Sequence, residues 1–106
     1  MADCIVLHPQ DNVATVLRKV AGRDVLVIAD QNLKETGRIT ALEEIPFAHK
    51  ISLRDIQKGE KIIKYGECIG KASAEIAQGE YVHIHNVISI EGAEKIVTEH
   101  TGKQGG

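Results

Sequence analysis

Apolar residues fall along this chain in short runs separated by polar turns, and the spacing within each run assigns an element. Cys4-Ile5-Val6-Leu7 is a β-prone run closed by His8-Pro9, which reads as a strand ending in a turn. Val13, Val16, Leu17 and Val20 then recur at helical spacing, with Thr15, Arg18 and Lys19 on the other face and Asp11 or Asn12 placed as a cap. That pattern predicts a short helix ended by Gly22. Residues 24–29 are almost unbroken Val, Leu and Ile, a strand, and the polar turn Asp30-Gln31-Asn32 leads into a second β-like stretch over 38–42. The front third therefore predicts a small β-α-β-β unit.

Beyond Pro46 the texture changes to short strands separated by glycine turns, with Gly59, Gly66, Gly70 and Gly79 marking backbone positions expected to need positive φ. An internal echo runs through this half. Asp55-Ile56-Gln57-Lys58-Gly59-Glu60-Lys61-Ile62 is answered by Glu75-Ile76-Ala77-Gln78-Gly79-Glu80-Tyr81-Val82: an acid, an isoleucine, two small or polar residues, a Gly-Glu turn and then a strand. Two copies are too few for a solenoid and predict a compact pseudo-symmetric β fold, two similar corners packed together. A weak amphipathic helix is expected over residues 91–100, with Ala93, Ile96 and Val97 on one side, and a disordered tail over 101–106. The expectation is a single domain over residues 1–100, mainly β with a short α-helix near the N-terminus.

Composition narrows the function more than the fold. One domain of 106 residues is small for a complete enzyme, so a partner subunit is a live expectation from the start. A formal charge of −2, with Lys and Arg scattered among Asp and Glu, leaves no basic footprint, and one Phe with two Tyr cannot build a base-stacking platform. Nucleic acid is excluded as a partner class. The apolar run 25–29 is far too short to span a bilayer and the N-terminus lacks a signal-peptide pattern, so a cytoplasmic protein without a membrane partner is expected. Cys4 and Cys68 lie far apart and form no CxxC pair. Each sits in an apolar run and reads as a reduced, buried thiol.

The candidate chemistry gathers in Val82-His83-Ile84-His85-Asn86 and the lysine-rich stretch before it. On a strand, the period of two puts His83 and His85 on one face, with Val82 and Ile84 turned to the core. Two imidazoles on one face can supply neighbouring positions on a divalent first-row metal if His49, a carboxylate or a second chain adds a third donor. The same pattern is equally that of an idle solvated strand. Asn86 adds an amide able to donate to and accept from a hydroxylated substrate. His49, Lys50, Lys64 and Tyr65 bring an imidazole, two amines and a phenol that suit a small anionic substrate. Lys61, Lys64 and Lys71 also fit a solvated edge that blunts strand pairing, and Tyr65 fits a core residue with its hydroxyl at the rim.

Several strings in order, Pro46-Phe47-Ala48-His49-Lys50-Ile51-Ser52-Leu53-Arg54-Asp55-Ile56-Gln57-Lys58-Gly59, then Ile63-Lys64-Tyr65-Gly66-Glu67-Cys68-Ile69-Gly70-Lys71-Ala72, then Ile76, Gly79 and Val82-His83-Ile84-His85-Asn86, resemble the N-terminal SAF module of the altronate and galactarate dehydratase family. The opening Asp11-Asn12-Val13-Ala14 is similar to that family's first segment. The resemblance implies a SAF-type β-clip fold and an assembly in which a much larger catalytic domain or subunit carries most of the machinery. It implies dependence on Fe(II) or Mn(II), held mainly by or with that large subunit, and a cleft faced by His83, His85 and Asn86 with His49, Lys50 and Lys64 nearby. Catalytic roles then fall on His83 and His85, which are also the candidate metal ligands. Substrate contacts fall on His49, Lys50, Lys64, Tyr65 and Asn86. Sulfolactate sulfo-lyase uses a similar small subunit, so the resemblance leaves the leaving group open. Residues 87–91 do not resemble a linker to a large domain, which predicts a separate small subunit, with a homo-oligomer also compatible.

Overall fold

The computed structural model describes residues 1–89. The helix expected over 91–100, the expected domain end at residue 100 and the tail 101–106 lie outside the described residues. Among the described residues nine strands form the regular structure: β1 (Cys4–Ile5), β2 (Val13–Val16), β3 (Val25–Ala29), β4 (Glu35–Thr40), β5 (Lys50–Ser52), β6 (Lys61–Lys64), β7 (Glu67–Ala72), β8 (Tyr81–Val82) and β9 (Val87–Ile88). A six-stranded sheet runs in the order β4-β3-β1-β2-β5-β8 and a three-stranded one in the order β6-β7-β9. Among the described residues no helix is long and apolar enough to cross a membrane.

The expected N-terminal helix is corrected: the described residues contain no helix, and Val13–Val16 is a strand, paired antiparallel with both β1 and β5. The apolar spacing misleads because this strand is covered on both faces. Val13 faces one core cluster, with Ile56, Ile62, Ile76 and Val82, while Ala14 and Val16 face the other, with Leu26, Ile45 and Ile51. A strand buried on both sides loses its alternation, and Val20, which completes the apparent helical stripe, belongs to the corner that follows. The β-branched Val13, Thr15 and Val16 favour the pleated surface once packing decides.

The internal echo is wider than the sequence discloses, for four corners share one backbone plan. Each begins on a buried aliphatic residue: Val20, Ile45, Ile56 or Ile76. Three positions on, the chain turns through positive φ, at Arg23 (75°), Ala48 (73°), Gly59 (87°) and Gly79 (91°). The next residue donates its N–H back across the turn: Asp24 to the Ala21 carbonyl at 3.1 Å, His49 to Pro46 at 3.1 Å, Glu60 to Gln57 at 2.9 Å and Glu80 to Ala77 at 3.0 Å. The corners pack as two pairs, Val20 against Ile45 and Ile56 against Ile76, each joined by reciprocal backbone hydrogen bonds. Glycine occupies the turn in only the second pair, so sequence similarity betrays only that pair.

Asn12 ties the two sheets together. Buried, it donates from Nδ2 to the Lys61 carbonyl at 2.8 Å and accepts the Ile63 N–H on Oδ1 at 2.8 Å, supplying with a side chain the pairing that a strand edge would otherwise give. Asp11 beside it receives the Tyr65 and Gly66 N–H groups at 2.9 and 2.8 Å and so fixes the β6–β7 hairpin tip. Cys4 is fully buried, and burial pushes its thiol up to about 11, whereas Cys68 is only half-buried; both are free.

Candidate functional site

Three of the four corners are closed by their own acid. Asp24 accepts the Ala21 N–H at 3.0 Å, Glu60 accepts the Gln57 N–H at 2.9 Å, and Glu80 accepts the Ala77 N–H. In the remaining corner the acid is replaced by His49 and the donor position by Pro46, which has no N–H to offer. Both halves of the closing bond are gone, and the side chain at this position is released for another use. Its corner leads straight into β5, as the Glu80 corner leads into β8, and the two strands pair antiparallel with Lys50 opposite Val82 and Ile51 opposite Tyr81. One step beyond that register, His49 meets His83.

The rings of His49 and His83 lie 4.5 Å apart between centroids. Tyr81 stacks on His83 at 5.5 Å with 12° between planes and meets His85 at 5.2 Å and 50°. Its hydroxyl is hydrogen-bonded to His49 Nδ1 at 2.5 Å. Three imidazoles and one phenol thus converge at the end of the β5–β8 ladder. The period of two that joins His83 to His85 extends back to Tyr81, and this is the signal by which the sequence could have found it. The phenol expected in the site was Tyr65. Instead Tyr65 stands at the β6–β7 hairpin tip, 70% exposed and at positive φ, and among the described residues the phenol that meets the imidazoles is Tyr81.

The strand expected to carry both histidines ends at Val82. His83 to Asn86 form a tight turn, closed by the Asn86 N–H donating to the His83 carbonyl at 3.1 Å, and Ile84, expected in the core, is 83% exposed at its tip. Val82 is buried as expected. Asn86 is buried too, and its amide serves the turn: Oδ1 accepts the His83 N–H at 2.9 Å and Nδ2 donates to the Tyr81 carbonyl at 2.9 Å. Its visible work is to hold the two residues that flank Val82.

Lys50 is half-buried, and burial first, then the nearby charge of Lys64, lowers its pKa from the ordinary lysine value. His83 is likewise lowered, by burial first and then by the positive charge that His49, Lys50 and His85 can present, which leaves it neutral at neutral pH. Lys50 and His83 line a cleft of about 200 Å³ with Ile69, Ile84, Val87 and Ser89. A cleft with an apolar floor, a neutral imidazole and an amine is equipped to hold a small anion and to accept a proton from it. A larger cleft, of about 420 Å³, lies between the Ile56 and Ile76 corners, but its Asp55 and Glu80 carboxylates are already engaged by the Gln78 and Ala77 N–H groups.

His83 and His85 were also the candidate metal ligands. Among the described residues no three of His, Cys, Asp and Glu gather so as to hold a metal ion. The described residues do not form a self-contained metal site.

A small all-β domain whose corners gather imidazoles, a phenol and an amine at one end of a sheet is a site-bearing β module. The family model for the altronate/galactarate dehydratase SAF domain matches residues 2–90, and the chain belongs to that family. It is 39% identical to an altronate dehydratase of Escherichia coli over 82 residues, which cover 77% of this chain and 15% of that one. Against an altronate dehydratase of Bacillus subtilis the identity is 37% over 87 residues, 81% of this chain and 16% of the relative. It is 35% identical to the (2R)-sulfolactate sulfo-lyase subunit alpha of Chromohalobacter salexigens over 86 residues, covering 77% of this chain and 89% of that subunit. The chain therefore spans only about a sixth of the altronate dehydratases but most of the sulfo-lyase subunit.

Proposed function

We propose that this chain is the small subunit of a sugar-acid hydro-lyase of the altronate dehydratase type, removing water from a hydroxylated sugar acid to give a 2-keto-3-deoxy acid together with a separate large chain. The observation that carries the reading is the convergence of His49, Lys50, His83 and His85, from two separate corners, at one end of the β5–β8 ladder. Elimination from a 2,3-dihydroxy acid needs a base for the proton α to the carboxylate, stabilisation of the enediolate that follows, and help for the departing hydroxyl. His83, neutral at neutral pH, is the candidate base. Lys50 and Lys64 supply positive charge for the carboxylate and the enediolate. His49 and His85 offer further proton donors at the rim, and Asn86 holds His83 in place. On the same reading a divalent metal, Fe(II) or Mn(II), is held by donors of the large chain, and no step here is assigned to it.

A second reading keeps the same α-proton abstraction but releases sulfite, as in a sulfolactate sulfo-lyase. The similarity to a subunit of that enzyme along 89% of its length favours it. The deciding experiment is to capture the large chain from native extract with this chain as bait, then assay the complex for 2-keto-3-deoxy acid from altronate and for sulfite from sulfolactate. Turnover of altronate by the complex but not by either chain alone is the expected result. His83→Ala and His85→Ala should each lower it at least about 100-fold if they act in proton transfer. Full turnover in the double variant would reduce the chain to a binding module, and sulfite release alone would select the second reading.

A further inference from the structure

Among the described residues the side chain hydrogen-bonded to His49 is Tyr81. In the other three corners the residue at the His49 position is held by its own carboxylate bonding a backbone N–H, and Pro46 removes that option here. Without a substitute, the imidazole would be free to rotate and to exchange its proton between nitrogens. We propose that Tyr81 is a positioning residue: its phenol donates to His49 Nδ1 and fixes the neutral imidazole as the tautomer with its proton on Nε2, the nitrogen left to donate to an anionic oxygen of the ligand.

The direction of the bond follows from the groups. A phenol O–H is a good donor, whereas a bare imidazole nitrogen is among the best neutral side-chain acceptors. Tyr81 is also a stiff support. Its N–H donates to Glu43 Oε2 at 3.0 Å, its carbonyl accepts the Asn86 amide at 2.9 Å, and its side chain packs against the core cluster that includes Ile45 and Ile51 while its ring stacks on His83. One phenol thus sets His49 through its hydroxyl and His83 through its face. The same Asn86 amide that holds the Tyr81 carbonyl also holds the His83 N–H, so the backbone that carries the two rings is anchored to one buried side chain. The ligand class inherited from the proposed function is a hydroxylated carboxylate; the tautomer assignment stands apart from it.

The test uses the full chain labelled with ¹⁵N, at a pH where its imidazoles are neutral. Long-range proton–nitrogen correlation should give His49 an unprotonated Nδ1 shift and a protonated Nε2 shift. In Tyr81→Phe, which keeps the ring and its stacking, the two shifts should move toward each other as the tautomers mix. Tyr65→Phe, at the exposed hairpin tip and without a ring contact to His49 among the described residues, should leave them unchanged. A wild-type His49 with its proton on Nδ1, already averaged shifts, or an unaltered pattern in Tyr81→Phe would each overturn the proposal. If Tyr81→Phe does not fold, the wild-type chain decides through a coupling across the hydrogen bond between the Tyr81 hydroxyl proton and His49 Nδ1, and a protonated Nδ1 or no such coupling would overturn the proposal. In the assembled complex, Tyr81→Phe should lower kcat about tenfold, the loss expected from one orienting hydrogen bond of about 1.4 kcal/mol, with KM little changed. Altered shifts with unaltered kcat would overturn the positioning role. A wild-type complex that turns over neither acid would defeat the proposed function instead, and the spectra would still decide the tautomer.

Discussion

His83 shows how little is needed at the level of a single residue to favour a neutral imidazole. Its imidazole is held on the neutral side by partial burial and by neighbours that are imidazoles and an amine, with no carboxylate among the groups that shift it. A lysine or histidine that gains a carboxylate partner is shifted the other way. The consequence for stability has a definite sign. Between the lowered folded pKa and the ordinary value of 6.5, the unfolded chain binds a proton at this position that the folded chain does not, so stability rises with pH through that window and is lost as pH falls through it. Urea midpoints compared at pH 5.5 and 7.5 should therefore fall on acidification. His83→Gln should remove part of the fall, and an identical pH slope in the variant would show that His83 is not shifted in this direction.

The corner is the element on which this fold is built, and its cost depends on what surrounds the turn residue. Gly59 and Gly79 hold equivalent places at φ of 87° and 91°, yet a Cβ on Gly59 would meet open space, whereas one on Gly79 would come within 2.3 Å of the Thr40 carbonyl oxygen. Gly59→Ala should lose about 1 kcal/mol for the left-handed backbone alone, and Gly79→Ala about 3 kcal/mol or more once backbone must shift as well. Denaturation of the two variants under one set of conditions checks the difference, and equal losses would mean that the Thr40 strand yields freely. Glycine made this pair of corners legible in the sequence. The other pair turns through Arg23 and Ala48, which carry no such signature. The apolar residues of β2 and the corner after it mimic a helix for a related reason: burial on both faces erases the period of two, and periodicity cannot tell such a strand from a short buried helix.

Across the whole molecule, the mainly β character and the likeness of the two Gly-Glu corners were readable because each rests on local spacing. The assembly of the site was not. It depends on the Lys50–Val82 register, which brings His49 to His83, and on the hairpin turn that carries Tyr65 to an exposed tip while Tyr81 takes the phenol position. Such register is set by the two cores, and these are interlocked. β2 contributes Val13 to one and Ala14 and Val16 to the other, β5 pairs with β2 on one side and β8 on the other, and the Gly79 N–H of the second corner pair bonds the Ser52 carbonyl while its own carbonyl takes the Leu42 N–H. Two halves joined in this way should open together. Native-state hydrogen exchange can read both, since the Val20 N–H is bonded to Ile45 in the first pair and the Ile56 N–H to Ile76 in the second. Ile45→Val and Ile76→Val should each cost about 1 kcal/mol, and each should lower the protection of both amides by the same amount. If either variant loosened only its own pair, the halves would be independent units, and the register that brings His49 to His83 could be lost without unfolding the rest.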